Sequence, residues 1–175
     1  AGGRQDQYAA SFGGFNFIEF EPKSTVVTPL RLRRQTLEEL EYRLLLCYMG
    51  QTRQSAKIIE RQTKSYVEGN EKTVKALDAL KVQAHEMKRA LLLGHIDGFG
   101  ELLHDAWEQK KRLDDGISNS HVDKLYQLAR KEGAIGGKMP AACGRGVLLR
   151  PPALHPPPPR LPPVLPHARR ALARG

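Results

Sequence analysis

The feature that most constrains this chain is where its acidic and aromatic residues stop. No Asp or Glu follows Glu132 and no Phe, Tyr or Trp follows Tyr126, while nine of the twelve prolines lie between Pro151 and Pro166. Residues 1–132 carry 21 basic and 19 acidic side chains, a net of +2; residues 133–175 carry seven basic groups and no acid. A near-neutral body is therefore followed by a basic, proline-rich tail, and the overall charge of +9 does not describe the part that packs. Nucleic-acid binding is disfavoured on this ground, because the body has neither the charge nor the interleaved aromatic and basic side chains of single-strand binders. The 175 residues suffice for one ordinary domain or pieces of two. No apolar run approaches the roughly 20 residues of a membrane span. No apolar signal-peptide segment opens the chain, and two cysteines are too few for a disulfide framework or a four-thiolate site. These features lead us to expect a cytoplasmic protein with no membrane partner.

Local patterns predict an α+β body with more helix than strand. A helical stretch over 6–12, with Asp6 at its N-cap position, is stopped by Gly13-Gly14. A hairpin from Phe15 to Leu32 follows, and then a short helix over 36–40 capped by Thr36. The continuous apolar run Leu44-Leu45-Leu46-Cys47-Tyr48 reads as a strand buried on both faces, in the middle of the sheet. Three- and four-residue apolar steps predict helices over 55–67, 71–93, 96–113 and 120–132, with Gly133 as the last C-cap. A short strand at Ala134-Ile135 then runs into a turn, Gly136-Gly137-Lys138.

Several positions have chemical potential. A carboxylate at a helix N-terminus, as at Asp6, is kept ionised by free N–H groups and the helix dipole, and could orient or deprotonate a hydroxyl; a plain N-cap is the alternative. The backbone N–H groups of the Gly136-Gly137 turn could line an anion site with Lys138 adding charge, or the glycines could simply serve a tight turn. His85, His95, His104 and His121 form no metal-ligand pattern, so no metal site is expected there. On their shared helix face, Trp107 reads as core and Lys110 as a solvated charge. The segment from Pro156 to Pro163, which contains Arg160, suits a polyproline II ligand, and so a second class of function is an interaction module with an SH3-type ligand tail.

Taken together, several stretches give the chain a resemblance to the GHMP kinases, and within them to the D-glycero-D-manno-heptose 7-phosphate kinase branch. They are Gly3-Arg4-Gln5-Asp6-Gln7-Tyr8-Ala9-Ala10 with Gly13 to Phe20, Leu44 to Arg53, Leu102-Leu103-His104-Asp105-Ala106-Trp107 with Lys110, Ile117-Ser118-Asn119, and Gly133 to Lys138. The resemblance covers roughly residues 1–140, and its specificity lies in the joint order of the pieces. It implies that residues 1–33 end an N-terminal kinase domain with its last helix and hairpin. Residues 34–150 would form the ferredoxin-like C-terminal domain, and 151–175 a disordered Pro/Arg-rich tail. It implies transfer of the ATP γ-phosphate to a sugar hydroxyl, the anomeric one of a heptose 7-phosphate, for cell-surface glycan synthesis; a fucokinase-like sugar 1-kinase is the runner-up. Asp6 would be the catalytic carboxylate, Arg4, Gln5, Gln7 and Lys110 would bind substrate, and Gly136, Gly137 and Lys138 would attend the phosphates.

The chain departs from the family pattern twice. The family's nucleotide loop, Pro-x-x-x-Gly-Leu-Gly-Ser-Ser, does not occur here, and with it go the expected ligands for Mg²⁺. This chain alone is therefore expected to be a very poor kinase. After Pro140 the family's glycine run is replaced by residues whose codons, read one base later, can yield glycines followed by phenylalanines. We therefore expect residues from about 141 to be a frameshift product, leaving the sheet without its last strand and with an exposed apolar edge.

Overall fold

The structure, a computed structural model, describes residues 4–48, 55–138 and 145–152. The Gly2-Gly3 pair, the Met49–Arg53 part of the motif after the apolar run, and the proline-rich segment beyond Pro152 lie outside the described residues.

The order is α1 (Gln5–Phe12), β1 (Asn16–Phe20), β2 (Thr25–Pro29), α2 (Arg34–Arg43), β3 (Leu44–Tyr48), α3 (Ser55–Val67), α4 (Glu71–Leu93), α5 (Ile96–Lys111), α6 (Ser120–Lys131), β4 (Gly136–Lys138) and β5 (Arg145–Leu149). Among the described residues the helices outnumber the strands, as the spacing of apolar residues leads one to expect. Gly13 ends α1, its N–H bonding to the Ala9 carbonyl at 3.0 Å. Asp6 is the second residue of α1 and not its cap, because Arg4 occupies that position. The α4 helix starts where the Asn70 side chain accepts the Thr73 N–H, and it stops at Gly94, whose left-handed backbone closes the last turn. The Asn119 side chain caps α6 in the same way, accepting the Val122 N–H at 2.8 Å.

The β1–β2 hairpin joins residues 16–20 to 25–29 antiparallel. It rests on α4 through the Phe17 ring, which meets the His85 ring at 4.9 Å and lies under the Lys88 ammonium at 3.9 Å. The second sheet has the order β3-β5-β4, antiparallel throughout. Two expectations are corrected here. The apolar run of β3 is an edge strand among the described residues, with Leu46 70% and Tyr48 72% exposed. Continuous hydrophobicity cannot distinguish a strand covered on two faces from one whose second face is left open. The sheet also does not lack its last strand: Arg145–Leu149 is the middle strand, and Leu149 is 0% exposed. A glycine followed by Val147-Leu148-Leu149 carries enough β-propensity and apolar surface to serve as that strand.

Reciprocal clamps hold β5 to α2. The Arg43 guanidinium, 2% exposed, donates to the Arg150 carbonyl at 2.9 Å and to Glu39 and Asp97. The Arg150 guanidinium lies over the Tyr42 ring at 4.2 Å and donates to the Tyr42 carbonyl. Two core clusters flank β5. One gathers Trp107, Ile117, Val122, Tyr126 and Leu148; the other gathers Leu40, Leu91, Ile96 and Leu149. The predicted strand at 134–135 is displaced to 136–138, since the turn closing α6 uses Gly133 and Ala134. Among the described residues, no helix is long and apolar enough to cross a membrane.

Two outcomes follow from this packing. Leu149→Ala should cost about 2–5 kcal/mol in urea unfolding, because the site is fully enclosed. The Asp114 carboxylate receives two hydrogen bonds from Arg61 and one from the Gly116 N–H, and the Arg61 bonds chiefly hold it below the ordinary aspartate range. Its stabilisation is present above the unfolded pKa near 4 and is lost as pH falls through the lower folded value. The stability gap between the parent and Asp114→Asn should thus close below about pH 4, as read by melts at a series of pH values.

Candidate functional site

Three elements bring charge together. The first turn of α1 presents Asp6, exposed, with Arg4, Gln5 and Gln7 exposed around it. The last turn of α5 carries Lys110, and the end of β4 carries Lys138, which is exposed. Lys110 is half-buried and is the centre of the group. Burial first, and then the nearby Lys138 ammonium, push its pKa below the usual lysine value, while the Asp6 carboxylate acts in the other direction. The expectation of a solvated charge at Lys110 is therefore corrected. Its neighbour Lys111 is committed elsewhere, pairing with Glu108 at 2.7 Å and lying 5.9 Å from the centre of the Trp107 ring. Among the described residues, no carboxylate lies within ion-pair distance of Lys110. A half-buried ammonium beside a second ammonium favours an anion with two or more charges.

Arg4 stands over the Phe20 ring at 5.4 Å, tying the start of α1 to the hairpin. Tyr8 packs edge-on against the same ring at 5.4 Å and stacks with Phe12. Nothing in these contacts links Arg4 directly to Lys110; Asp6 is the residue of α1 that Lys110 feels.

Gly136 and Gly137 are buried in β4 and do not form a turn. A Cβ on Gly136 would lie 1.8 Å from the Gly100 carbonyl oxygen and 3.0 Å from the His104 nitrogen. A Cβ on Gly100 would in turn meet Leu149 and Ile135 at 2.7 and 2.8 Å. The glycines let a helix backbone and a strand backbone touch, which brings the end of β4 alongside α5. Trp107, 1% exposed, is core as expected.

Two residues emerge only in three dimensions. His104 Nδ1 and the Tyr126 hydroxyl are 2.8 Å apart with their rings stacked. Sequence spacing gave no sign of this, because the partners are 22 residues apart on different helices. Among the described residues, no three His, Cys, Asp or Glu side chains stand together to hold a metal ion. An open groove of about 540 Å³ lies between α4 and the end of α5, lined by residues including Lys72, Lys75 and Arg112; Asp6, Lys110 and Lys138 are not part of it.

Residues 87–149 match the family model for the GHMP kinases C terminal, past the point where a change of frame was expected. Together with the α+β arrangement, this gives the chain the fold of the C-terminal domain of the GHMP kinases. Over 148 residues it is 40% identical to the D-glycero-alpha-D-manno-heptose 7-phosphate kinase of Campylobacter jejuni, an alignment covering 84% of this chain and 43% of that protein. It is 29% identical over 151 residues to the bifunctional fucokinase/GDP-fucose pyrophosphorylase of Arabidopsis thaliana, covering 85% of this chain and 14% of that one. The crystal structure of a D-glycero-D-manno-heptose 1-phosphate kinase from Bacteroides thetaiotaomicron superposes with a TM-score of 0.60 at 30% identity, covering 86% of this chain and 39% of that one. The chain thus spans less than half the length of these relatives.

Because the Gly136 Cβ would collide with backbone, Gly136→Ala should destabilise the fold by at least the ~1–3 kcal/mol of an overpacked core. It should also lower the melting temperature more than the same change at Gly98, where a Cβ meets nothing within 4 Å.

Proposed function

We propose that this chain is the C-terminal part of an ATP-dependent sugar-phosphate kinase that phosphorylates the anomeric hydroxyl of a heptose 7-phosphate, a step toward activated heptose for cell-surface glycans. What supports this reading is that Lys110 is acted on by both the Lys138 ammonium and the Asp6 carboxylate, so that charges carried by three separate elements influence one another. The 40% identity to a heptose 7-phosphate kinase supports the choice of sugar.

In this reading Asp6 orients the sugar hydroxyl and accepts its proton as the oxygen attacks the γ-phosphorus of ATP, with ADP leaving. Arg4, Gln5 and Gln7 surround that hydroxyl from the same helix turn and hold the sugar. Lys110 and Lys138 neutralise phosphate oxygens, and Gly136 and Gly137 act on the phosphates by letting β4 deliver Lys138. Residues 1–33 belong to the end of the nucleotide-binding domain, 34–150 to the C-terminal domain, and 151–175 to a tail without a catalytic part. The described residues offer no fitting ligand set for Mg²⁺, so its ligands, like the nucleotide loop, belong to the N-terminal part of the enzyme, and no step of this chain runs through the metal. A cytoplasmic location accords with these substrates. The second reading, a fucokinase-like sugar 1-kinase, rests on the likeness to the Arabidopsis protein.

The test joins this chain to the nucleotide-binding half of the Campylobacter relative and measures ATP-dependent transfer to heptose 7-phosphate and to L-fucose. Transfer to heptose 7-phosphate is expected, and Asp6→Asn should lower kcat by about 10²–10⁴. Preference for L-fucose would replace the first reading with the second. Transfer indifferent to Asp6 would remove its catalytic role.

A further inference from the structure

We propose that the groove between α4 and the end of α5 binds a small organic phosphate monoester, with Lys72 and Arg112 holding the phosphate and Ala76 and Ala79 forming the floor under its uncharged body. This site is separate from Asp6, Lys110 and Lys138, and it does not rest on the kinase reading.

The groove follows from a mismatch in helix length. α4 and α5 form a helical hairpin closed by Gly94 and His95. α4 has 23 residues and α5 has 16. At about 1.5 Å per residue, the first turns of α4 overhang the end of α5 by roughly 10 Å. The shoulder left there is the open groove of about 540 Å³, within the size range of small-molecule sites. Lys72, Lys75, Ala76 and Ala79 recur at three- and four-residue steps and line it from one face of α4. Gln109 and Arg112, one turn apart, line it from α5. The methyl side chains at 76 and 79 leave open a space that longer side chains would fill. Both walls are fixed. Asn70 caps α4 by accepting the Thr73 N–H at 3.1 Å, and the buried Thr73 hydroxyl meets the Ser65 hydroxyl of α3 at 2.8 Å. The Arg112 N–H closes α5 by donating to the carbonyls of Gln109 and Lys110.

The charge of the groove selects its ligand. Its lining holds three cations, Lys72, Lys75 and Arg112, and one carboxylate, Glu71. Glu71 and Lys75 satisfy each other on the rim at 3.1 Å. Among the described residues, neither Lys72 nor Arg112 stands in an ion pair. Two cations from two helices thus give the groove its sign. The helix dipoles add little, because the positive end of α4 meets the negative end of α5. A phosphate monoester carries about −1.5 to −2 at pH 7, which matches that pair. The arginine fork takes two of its oxygens and the lysine a third. A lone carboxylate would leave one cation unmatched, and a triphosphate would set excess negative charge against Glu71. The Gln109 amide can both donate to and accept from hydroxyl groups on the body of the ester.

The test titrates the ¹⁵N-labelled chain with AMP, ribose 5-phosphate, inorganic phosphate and adenosine, followed by NMR. AMP or ribose 5-phosphate should shift the amides of residues 71–79 and 109–112, and the tighter of the two identifies the body as nucleoside or sugar. Inorganic phosphate and adenosine should each bind about tenfold more weakly than that ester. Lys72→Ala and Arg112→Ala should each raise its Kd by about fivefold or more. Glu71→Gln should lower the Kd, and Ala79→Leu, which fills the floor without changing charge, should abolish the shifts. If Ala79→Leu does not fold, the double variant Lys72→Ala/Arg112→Ala, altered only at exposed positions, decides in its place and should not bind. Absence of shifts with both esters overturns the proposal. So does binding that survives Ala79→Leu or the double variant, and so does inorganic phosphate or adenosine binding as tightly as the esters. Shifts confined to the surroundings of Lys110 and Lys138 also overturn it, while leaving the kinase reading in place.

Discussion

The rest of the structure depends on the contact between Gly100 of α5 and Gly136 of β4. With no side chain on either residue, the carbonyl oxygen of one occupies the space where the other's Cβ would stand. A helix and a strand normally keep side chains between them; here they meet backbone to backbone. The short β4 is thereby pinned between α5 and β5, with Ile135 and Leu149 closing over Gly100. The helix that carries Lys110 and the strand that carries Lys138 lie against each other, and the Lys138 ammonium acts on Lys110.

Bringing like charges together is unfavourable, and the chain compensates locally. The Asp6 carboxylate opposes the effect of Lys138 on Lys110, and the aliphatic stem of a half-buried lysine can be covered while its ammonium stays near the surface. The neighbouring cations are otherwise engaged: Lys111 with Glu108 and Trp107, Arg130 with the carbonyls of Ala134 and Ile135. Among the described residues, neither Lys110 nor Lys138 stands in an ion pair. That separates Lys110 and Lys138 from Lys64 of α3 and Lys75 of α4, which sit in ordinary exposed pairs one turn from a glutamate.

The helices were legible in the sequence because their signals are local. Asn70 and Gly94 bracket α4, Asn119 opens α6, and the apolar steps between them place Leu91, Leu103, Trp107 and Val122 inward. The sheet was less so. β3 reads as a central strand because it is apolar at every position, yet its place in the order depends on which distant segment pairs with it, and only β5 does among the described residues. The glycines of β4 could be recognised as demanding, but not the reason, since the partner carbonyl belongs to a residue 36 positions earlier. Asp6, Lys110 and Lys138 were singled out by a resemblance spread along the chain; that Asp6 and Lys138 both act on Lys110 is a property of the fold alone. His104 looked like any core or surface histidine, because a hydrogen-bond partner on another helix leaves no periodic trace.

Residues 145–150 show how a departure from a family pattern should be weighed. Judged by the missing glycine run, everything after Pro140 looks foreign. Judged by what a middle strand needs, the same residues suffice: Leu148 and Leu149 enter separate core clusters, the backbone pairs on both sides, and Arg150 exchanges hydrogen bonds with the end of α2. A segment of random composition would rarely meet all three conditions at once, and the buried Arg43 would lose the carbonyl that accepts from its Nε. The strand also faces Gly137 directly, its Leu148 lying where a side chain on that glycine would go. The last described strand is therefore part of the same construction that places Lys138, and a change there would be felt at the charged site before it was felt at the hairpin or at α3.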